Sequence, residues 1–172
     1  MDLNGVIWDW GDTLMRDIPG QKGPMVYWPQ VEAMPGASDA LGALSWVQVR
    51  CVASNATESS GTQIAEALAR VGLRTFLTHF VTSSEMGVSK PDPRFFEEVS
   101  RRMGIPVGKL LAVGNDLSKD ILPARAAGLA TVYVSSGDEA LPREGGAPEG
   151  AAHFVVADLF QLAELARGGI FS

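Results

Sequence analysis

The stretch Val6-Ile7-Trp8-Asp9-Trp10-Gly11-Asp12-Thr13-Leu14 decides how this chain is read. An apolar run meets an acid, and a glycine follows within two residues. A short apolar run bounded by turn residues reads as a buried strand, here Gly5 to Trp10. Three further segments repeat the design: VRCVASNAT (Val49 to Thr57), GVSKPDP (Gly87 to Pro93) and LLAVGNDLSKDI (Leu110 to Ile121). In an open parallel sheet the carboxyl ends of the strands form the ligand crevice. Asp9, Ser54, Lys90 and the group Asn115, Asp116 and Asp120 can therefore converge on one pocket.

Working outward, further strands are expected at Val47 to Ala53, near Phe80 to Thr82, at Leu110 to Val113, at Ala130 to Val134 and at His153 to Val156. Between them fall helices at Ala37 to Ser45, at Thr62 to Val71 with Gly72 as its C′ residue, and from Asp92 to Met103. A further helix is expected at Ser118 to Ala127, and another after Asp158. Asp92-Pro93 reads as an N-cap followed by proline at N1, and Gly104 ends that helix. Met15 to Pro35 and Gly137 to Gly150 are rich in Gly and Pro, show no period, and read as loops. Strands alternating with helices imply an α/β fold, a doubly wound parallel sheet.

Bulk properties narrow the possibilities. At 172 residues the chain reads as a single domain spanning 1–172. Apolar residues make up 46% and charged ones 20%, as in ordinary globular proteins. The net charge of −6 and the lack of any Lys/Arg cluster argue against nucleic acid as a partner. Cys51, the single cysteine, sits in an apolar run and reads as core. No signal peptide or stretch of 18 apolar residues is visible, so no membrane is expected and the cytoplasm is the expected setting.

Each candidate residue has a functional and a structural reading. Asp9 is a nucleophile or metal ligand, or it caps a turn. Ser54 and Asn55 hold phosphate oxygens, or they form an ordinary turn. Lys90 neutralises phosphate and carboxylate charge, or it is solvated. Asn115, Asp116 and Asp120 offer hard oxygen ligands suited to Mg²⁺, or they cap the following helix. Together a carboxylate, a hydroxyl, an ammonium and an acid cluster suit phosphoryl chemistry with a divalent metal.

In order and spacing, WDWGDTL, GVSKPDPRFF and VGNDLSKDILPARAAGL resemble the haloacid dehalogenase-like hydrolase superfamily, most of whose members are phosphatases. The resemblance runs from Val6 to about Val134. It implies a three-layer Rossmann-like domain, a Mg²⁺ cofactor, a phosphorylated substrate and an aspartyl-phosphate intermediate. By resemblance, Asp9 is the nucleophile and a metal ligand, and Gly11 offers its carbonyl to the metal. Thr13 and Ser54 bind the phosphoryl group, and Lys90 pairs with Asp9 and phosphate. Asn115 takes the metal-ligand position with Asp116 beside it, and Asp120 supports.

Two departures stand out. Gly11 occupies the place of the family's general acid, and Asn115 replaces an Asp. Side chains three apart on an extended segment face opposite sides, so Asp12 substitutes for the acid only if the chain turns right after Trp10. Otherwise Asp12 caps the turn. The segment DWGDT is also similar to the DWAGT motif of phosphonoacetaldehyde hydrolases, and dehalogenases likewise lack the second Asp. Both rely on a cap domain, and about 30 residues between Leu14 and Ser45 leave no room for one. Lys22, the lone lysine there, reads as a solvated loop residue. Trp10, Tyr27 and Trp28 line the mouth of the site or simply pack. Two histidines and one cysteine disfavour zinc clusters and Cys–His dyads, and no nucleophile elbow or P-loop pattern is present. The expectation is a phosphatase-like hydrolase with a minimal cap. The alternatives are a non-catalytic module binding a phosphorylated ligand or a protein, and a phosphonate or dehalogenase-type hydrolase.

Overall fold

The computed structural model describes residues 2–135, 150 and 152–171. Six strands form one parallel sheet: β1 (Gly5–Trp8), β2 (Val49–Ser54), β3 (His79–Thr82), β4 (Leu110–Gly114), β5 (Ala130–Val134) and β6 (Phe154–Val156). Their order is β3-β2-β1-β4-β5-β6. The chain therefore winds outward from β1 to β3 and resumes on the other side at β4. The crevice between the carboxyl ends of β1 and β4 is the switch point where such sheets bind ligands.

Alternate strand residues feed two cores. Val6, Trp8, Val52, Leu111 and Val113 pack with Leu41, Ile64, Leu68 and Leu162. These come from α1 (Ala37–Ala43), α2 (Gly61–Arg70) and, further on, α6 (Leu159–Arg167). Ile7, Cys51, Ala53 and Ala112 face the other way, against Phe95, Val99 and Ala124. Between α2 and these lies the single turn α3 (Ser83–Met86). The helices behind them are α4 (Arg94–Met103) and α5 (Leu122–Ala126). This is the three-layer α/β arrangement expected, with strands buried on both faces and hence continuously apolar. Cys51 is core as read, and burial pushes its thiol up to about 12.

Several boundaries differ from expectation for identifiable reasons. β1 stops at Trp8 because the chain turns at once: the Leu14 and Met15 amides both donate to the Trp10 carbonyl, and Asp12 takes a φ of 57°. β2 starts two residues late and includes Ser54 as its last residue. β6 begins at Phe154, not His153. α2 begins earlier, at a capping box in which Ser60 and Gln63 satisfy one another's backbone amides. At α4 the Asp92 carboxylate accepts from the Arg94 amide at 2.9 Å, but helical pairing begins at Arg94, so Pro93 and not the expected Asp92 stands at the N-cap. The helix expected from Ser118 to Ala127 opens instead as a π-turn, Leu117–Ile121, before α5. Pro123 has no N–H for the carbonyl four residues back, and its ring crowds that carbonyl, so the turn widens.

Met15 to Pro35, expected as loop, is a pinned flap. Met15 bridges Ala33 in antiparallel fashion, the Arg16 amide donates to Glu32, and the Met34 amide donates to Leu14. Its tip carries a 3₁₀ turn, Met25–Tyr27. The Arg70 guanidinium, in the last turn of α2, donates to the carbonyls of Val26, Trp28 and Pro29 at 2.9, 2.7 and 3.3 Å. Lys22 is exposed, as read. The loop expected at Gly137 to Gly150 lies outside the described residues except for Gly150. Among the described residues, no helix is long and apolar enough to cross a membrane.

Candidate active site

The flagged residues meet, although only three of the four segments end a strand: Lys90, read as following an apolar run, lies past α3 and not at a strand end. Lys90, buried, places Nζ 2.7 Å from Asp9 Oδ1 and 2.6 Å from Asp120 Oδ1. Thr13 approaches both Asp9 Oδ2 and Asn115 Oδ1 with its hydroxyl, at 3.0 Å each. Asp9, Gly11, Asp12, Ser54, Asn55, Lys90, Asn115, Asp116 and Asp120 border one cavity of about 340 Å³. Thr13 lies behind this wall and holds it.

Each side chain is aimed by local structure. Asp9 sits one residue past β1, its amide held by the Val113 carbonyl of β4. Lys90 follows α3 in an irregular segment, where the Asn55 side chain grips its backbone from both sides. The amide nitrogen of Asn55 donates to the Lys90 carbonyl at 2.8 Å, and the amide oxygen accepts from the Lys90 N–H at 2.9 Å. Asn55 was expected to hold phosphate with Ser54. That expectation rests on the Ser54 hydroxyl and on backbone N–H groups, and the Asn55 side chain is engaged in fixing Lys90. Ser54 Oγ accepts from the Ala56 amide at 3.0 Å, which shapes the turn beneath the cavity. Asp120 enters from the π-turn and packs on Gly114, where any Cβ would lie 2.5 Å from its carboxylate. Its other oxygen accepts from the Asp116 amide at 3.1 Å.

Electrostatics tie these groups together. Burial raises the Asp120 carboxyl, the nearby Asp9 charge raises it further, and Lys90 only partly offsets both, leaving it at about 6. Burial works to lower the Lys90 ammonium, but Asp9 and Asp120 together push it above the ordinary lysine range. Lys90 is thus held charged between two acids. Burial acts to raise Asp116, but hydrogen bonds from Lys119 and Ser118 outweigh it and hold the carboxyl below its usual range.

Two acids have dual placement. The chain does turn right after Trp10, which brings Asp12 to the cavity wall, yet Asp12 Oδ1 accepts from the Asp17 amide at 2.9 Å and so caps that turn. Asp116 borders the cavity while its Oδ1 caps the π-turn through the amides of Ser118 and Lys119. Among the described residues, no three His, Cys, Asp or Glu side chains converge as a metal cage. The residues bordering the cavity bring hard oxygens, among them the carboxylates of Asp9 and Asp116, the Asn115 side-chain amide and the backbone carbonyl of Gly11. Mg²⁺ is commonly bound through one or two carboxylates with water and phosphate completing the shell, so this donor set fits it.

Sequence reasoning offered Trp10 and the flap's Tyr27 and Trp28 as mouth or packing, and missed the rest of the flap's part in the site. Trp10 and Trp28 are buried and border a second cavity, while Tyr27, also considered for the mouth, is 72% exposed and points to no wall of it. Met25, Asp17 and Glu58 are among the other residues that line it, and no sequence period marks them.

The chain belongs to the haloacid dehalogenase-like hydrolases, whose family model matches residues 21–128. Among characterised relatives, it is 38% identical over 100 residues to a glyceraldehyde 3-phosphate phosphatase of Methanothermobacter thermautotrophicus, covering 58% of this chain and 44% of that one. It is 35% identical over 99 residues to a pyrimidine 5′-nucleotidase of Escherichia coli, covering 57% of this chain and 42% of the relative. The chain therefore spans less than half the length of these relatives. In fold it is similar to an uncharacterised protein from Listeria monocytogenes, with a TM-score of 0.74, 26% identity, and coverage of 94% of this chain and 96% of the other. It likewise matches the L-2-haloacid dehalogenase of Xanthobacter autotrophicus in fold, at a TM-score of 0.72 and 17% identity over 96% of this chain and 99% of that one.

Proposed function

We propose that this protein is a Mg²⁺-dependent phosphatase working through an aspartyl-phosphate intermediate and favouring good leaving groups. The observation that carries this reading is the buried Lys90 ammonium, bonded at once to Asp9 and Asp120 at the mouth of the sheet's switch point. An Asp9 oxygen attacks phosphorus in line as the ester P–O bond breaks, and the leaving oxygen departs with the bonding pair. Water then cleaves the acyl phosphate, releasing inorganic phosphate and restoring Asp9. Lys90 pairs with Asp9 at 2.7 Å and offsets charge on the phosphoryl oxygens, the positioning and electrostatics that phosphoryl transfer requires. Thr13 orients Asp9, and the Ser54 hydroxyl, accepting from Ala56, keeps its own hydrogen to donate to phosphate. Asp9, the Gly11 carbonyl, Asn115 and Asp116 would hold the magnesium ion, which when bound supplies positive charge to the phosphoryl oxygens. The Methanothermobacter relative's activity supports a phosphate ester as substrate.

The leaving-group preference follows from Gly11 and from the turn-capping role of Asp12. Lack of a general acid typically costs about 10²–10⁴ in rate, and the cost shrinks when the departing oxygen is a weak base. Aryl and acyl phosphates are expected to turn over at least about 100-fold faster than alkyl phosphates. The test is a phosphate-ester panel with Mg²⁺ and an Asp9→Asn control. Equal rates across the panel refute the missing acid, and activity that survives Asp9→Asn refutes the nucleophile. The same Gly11 favours one second reading, a module that binds a phosphorylated ligand without turnover. Phosphate-analogue binding with no hydrolysis of any ester would establish that reading instead.

A further inference from the structure

The second cavity, about 280 Å³, adjoins the first: Gly11, Asp17, Ser54, Asn55 and Ala56 border both. It is roughly twice the size of a cavity that encloses benzene, on the order of 150 Å³. One wall is Trp10, Met25 and Trp28, buried aromatic and thioether surface supplied by the turn after β1 and by the flap. That wall is fixed. The Trp28 indole donates to the Gly23 carbonyl at 2.9 Å, and Arg70 ties three flap carbonyls to α2. Its rim also carries the exposed carboxylates of Asp17 and Glu58, and among the described residues no basic side chain lines the cavity. The cations of the site, Lys90 and Lys119, border only the phosphoryl cavity.

Resting on the phosphatase reading above, we infer that this second cavity seats the leaving group of the ester and selects an aromatic one that is neutral or cationic. Tryptophan faces attract flat rings and cations. Asp17 and Glu58 add attraction for a positive substituent and repel a carboxylate or second phosphate. Because the rim is exposed, this discrimination weakens with salt.

The test compares kcat/KM for 4-(aminomethyl)phenyl phosphate and 4-carboxyphenyl phosphate, with acetyl phosphate as a substrate too small to reach the second cavity. At low ionic strength the cationic ester is expected to be favoured by about tenfold. The ratio is expected to fall to about twofold in the Asp17→Asn/Glu58→Gln double variant. Reading the ratio within one variant cancels any loss common to both esters. Acetyl phosphate turnover with equal or reversed charge preference overturns the inference alone, as does a preference that survives the double substitution. No turnover of any of the three esters overturns the phosphatase reading and this inference with it.

Discussion

Replacing Lys90 by Met should expose the energetics of the site most directly. The methionine stem preserves most of the packing near Phe95, whose ring centroid lies 5.6 Å from Lys90 Nζ. What disappears is the cation between Asp9 and Asp120, whose side chains are only 14% and 6% exposed. Removing one partner of a buried ion pair costs about 3–5 kcal/mol because an uncompensated charge remains. Partial access of water to Asp9 favours the lower end. For a chain of this length, about 3 kcal/mol lowers Tm by roughly 6–12 °C. The deficit should also depend on pH with a definite sign. Asp120 already stands near 6 with the lysine present, above its unfolded value near 4. Loss of the lysine raises it further. A carboxyl raised on folding contributes stability that is present at low pH and lost as pH rises through its folded value. The gap between variant and wild type should therefore narrow by about 1–2 kcal/mol from pH 7 to pH 5. Urea denaturation followed by circular dichroism, with a chelator present, measures both quantities. A gap below about 1 kcal/mol at pH 7, or one that does not change with pH, would refute the picture of a charge-balancing lysine.

Other substitutions separate roles that the geometry distinguishes. Asp12→Gly suits the left-handed backbone at φ 57° while removing the cap on Asp17. It should leave kcat/KM on phenyl phosphate within about fivefold, whereas a fall of about 10²–10⁴ would make Asp12 the acid after all. Asn55→Ala removes both bonds to the Lys90 backbone, so kcat should fall more than KM rises. A selective rise in KM would instead point to direct phosphate binding. Cys51, fully buried with its thiol pushed up to about 12, should resist a thiol reagent at pH 8 in the folded protein and react at once in urea. Prompt reaction without urea would contradict the packing of β2.

The sheet was legible because strands covered on both faces must be apolar throughout, and VIW, VRCVA and LLAV are nearly so. Asp9 and Asn115 were legible for the same reason, since each follows such a run. Lys90 was harder: nothing around GVSKPDP fixes where the side chain goes, and its position depends on Asn55, 35 residues earlier. The widened turn before Pro123 was readable in principle from the missing N–H. The flap was not readable. Its residues lack periodicity because they are held largely through backbone groups, which any sequence presents equally, at the stem and by Arg70 on α2.

The stem of that flap has an architectural consequence. Met15 and Ala33 pair, and Arg16 meets Glu32 at 2.8 Å, so the two ends of the excursion are already side by side. Chain spliced in near Gly20 would not have to bear the entropy of bringing its ends together, which grows only slowly with length. The turn at Gly20 to Gly23 is thus a ready port through which an independent folded module could be hung over the crevice without disturbing the sheet beneath.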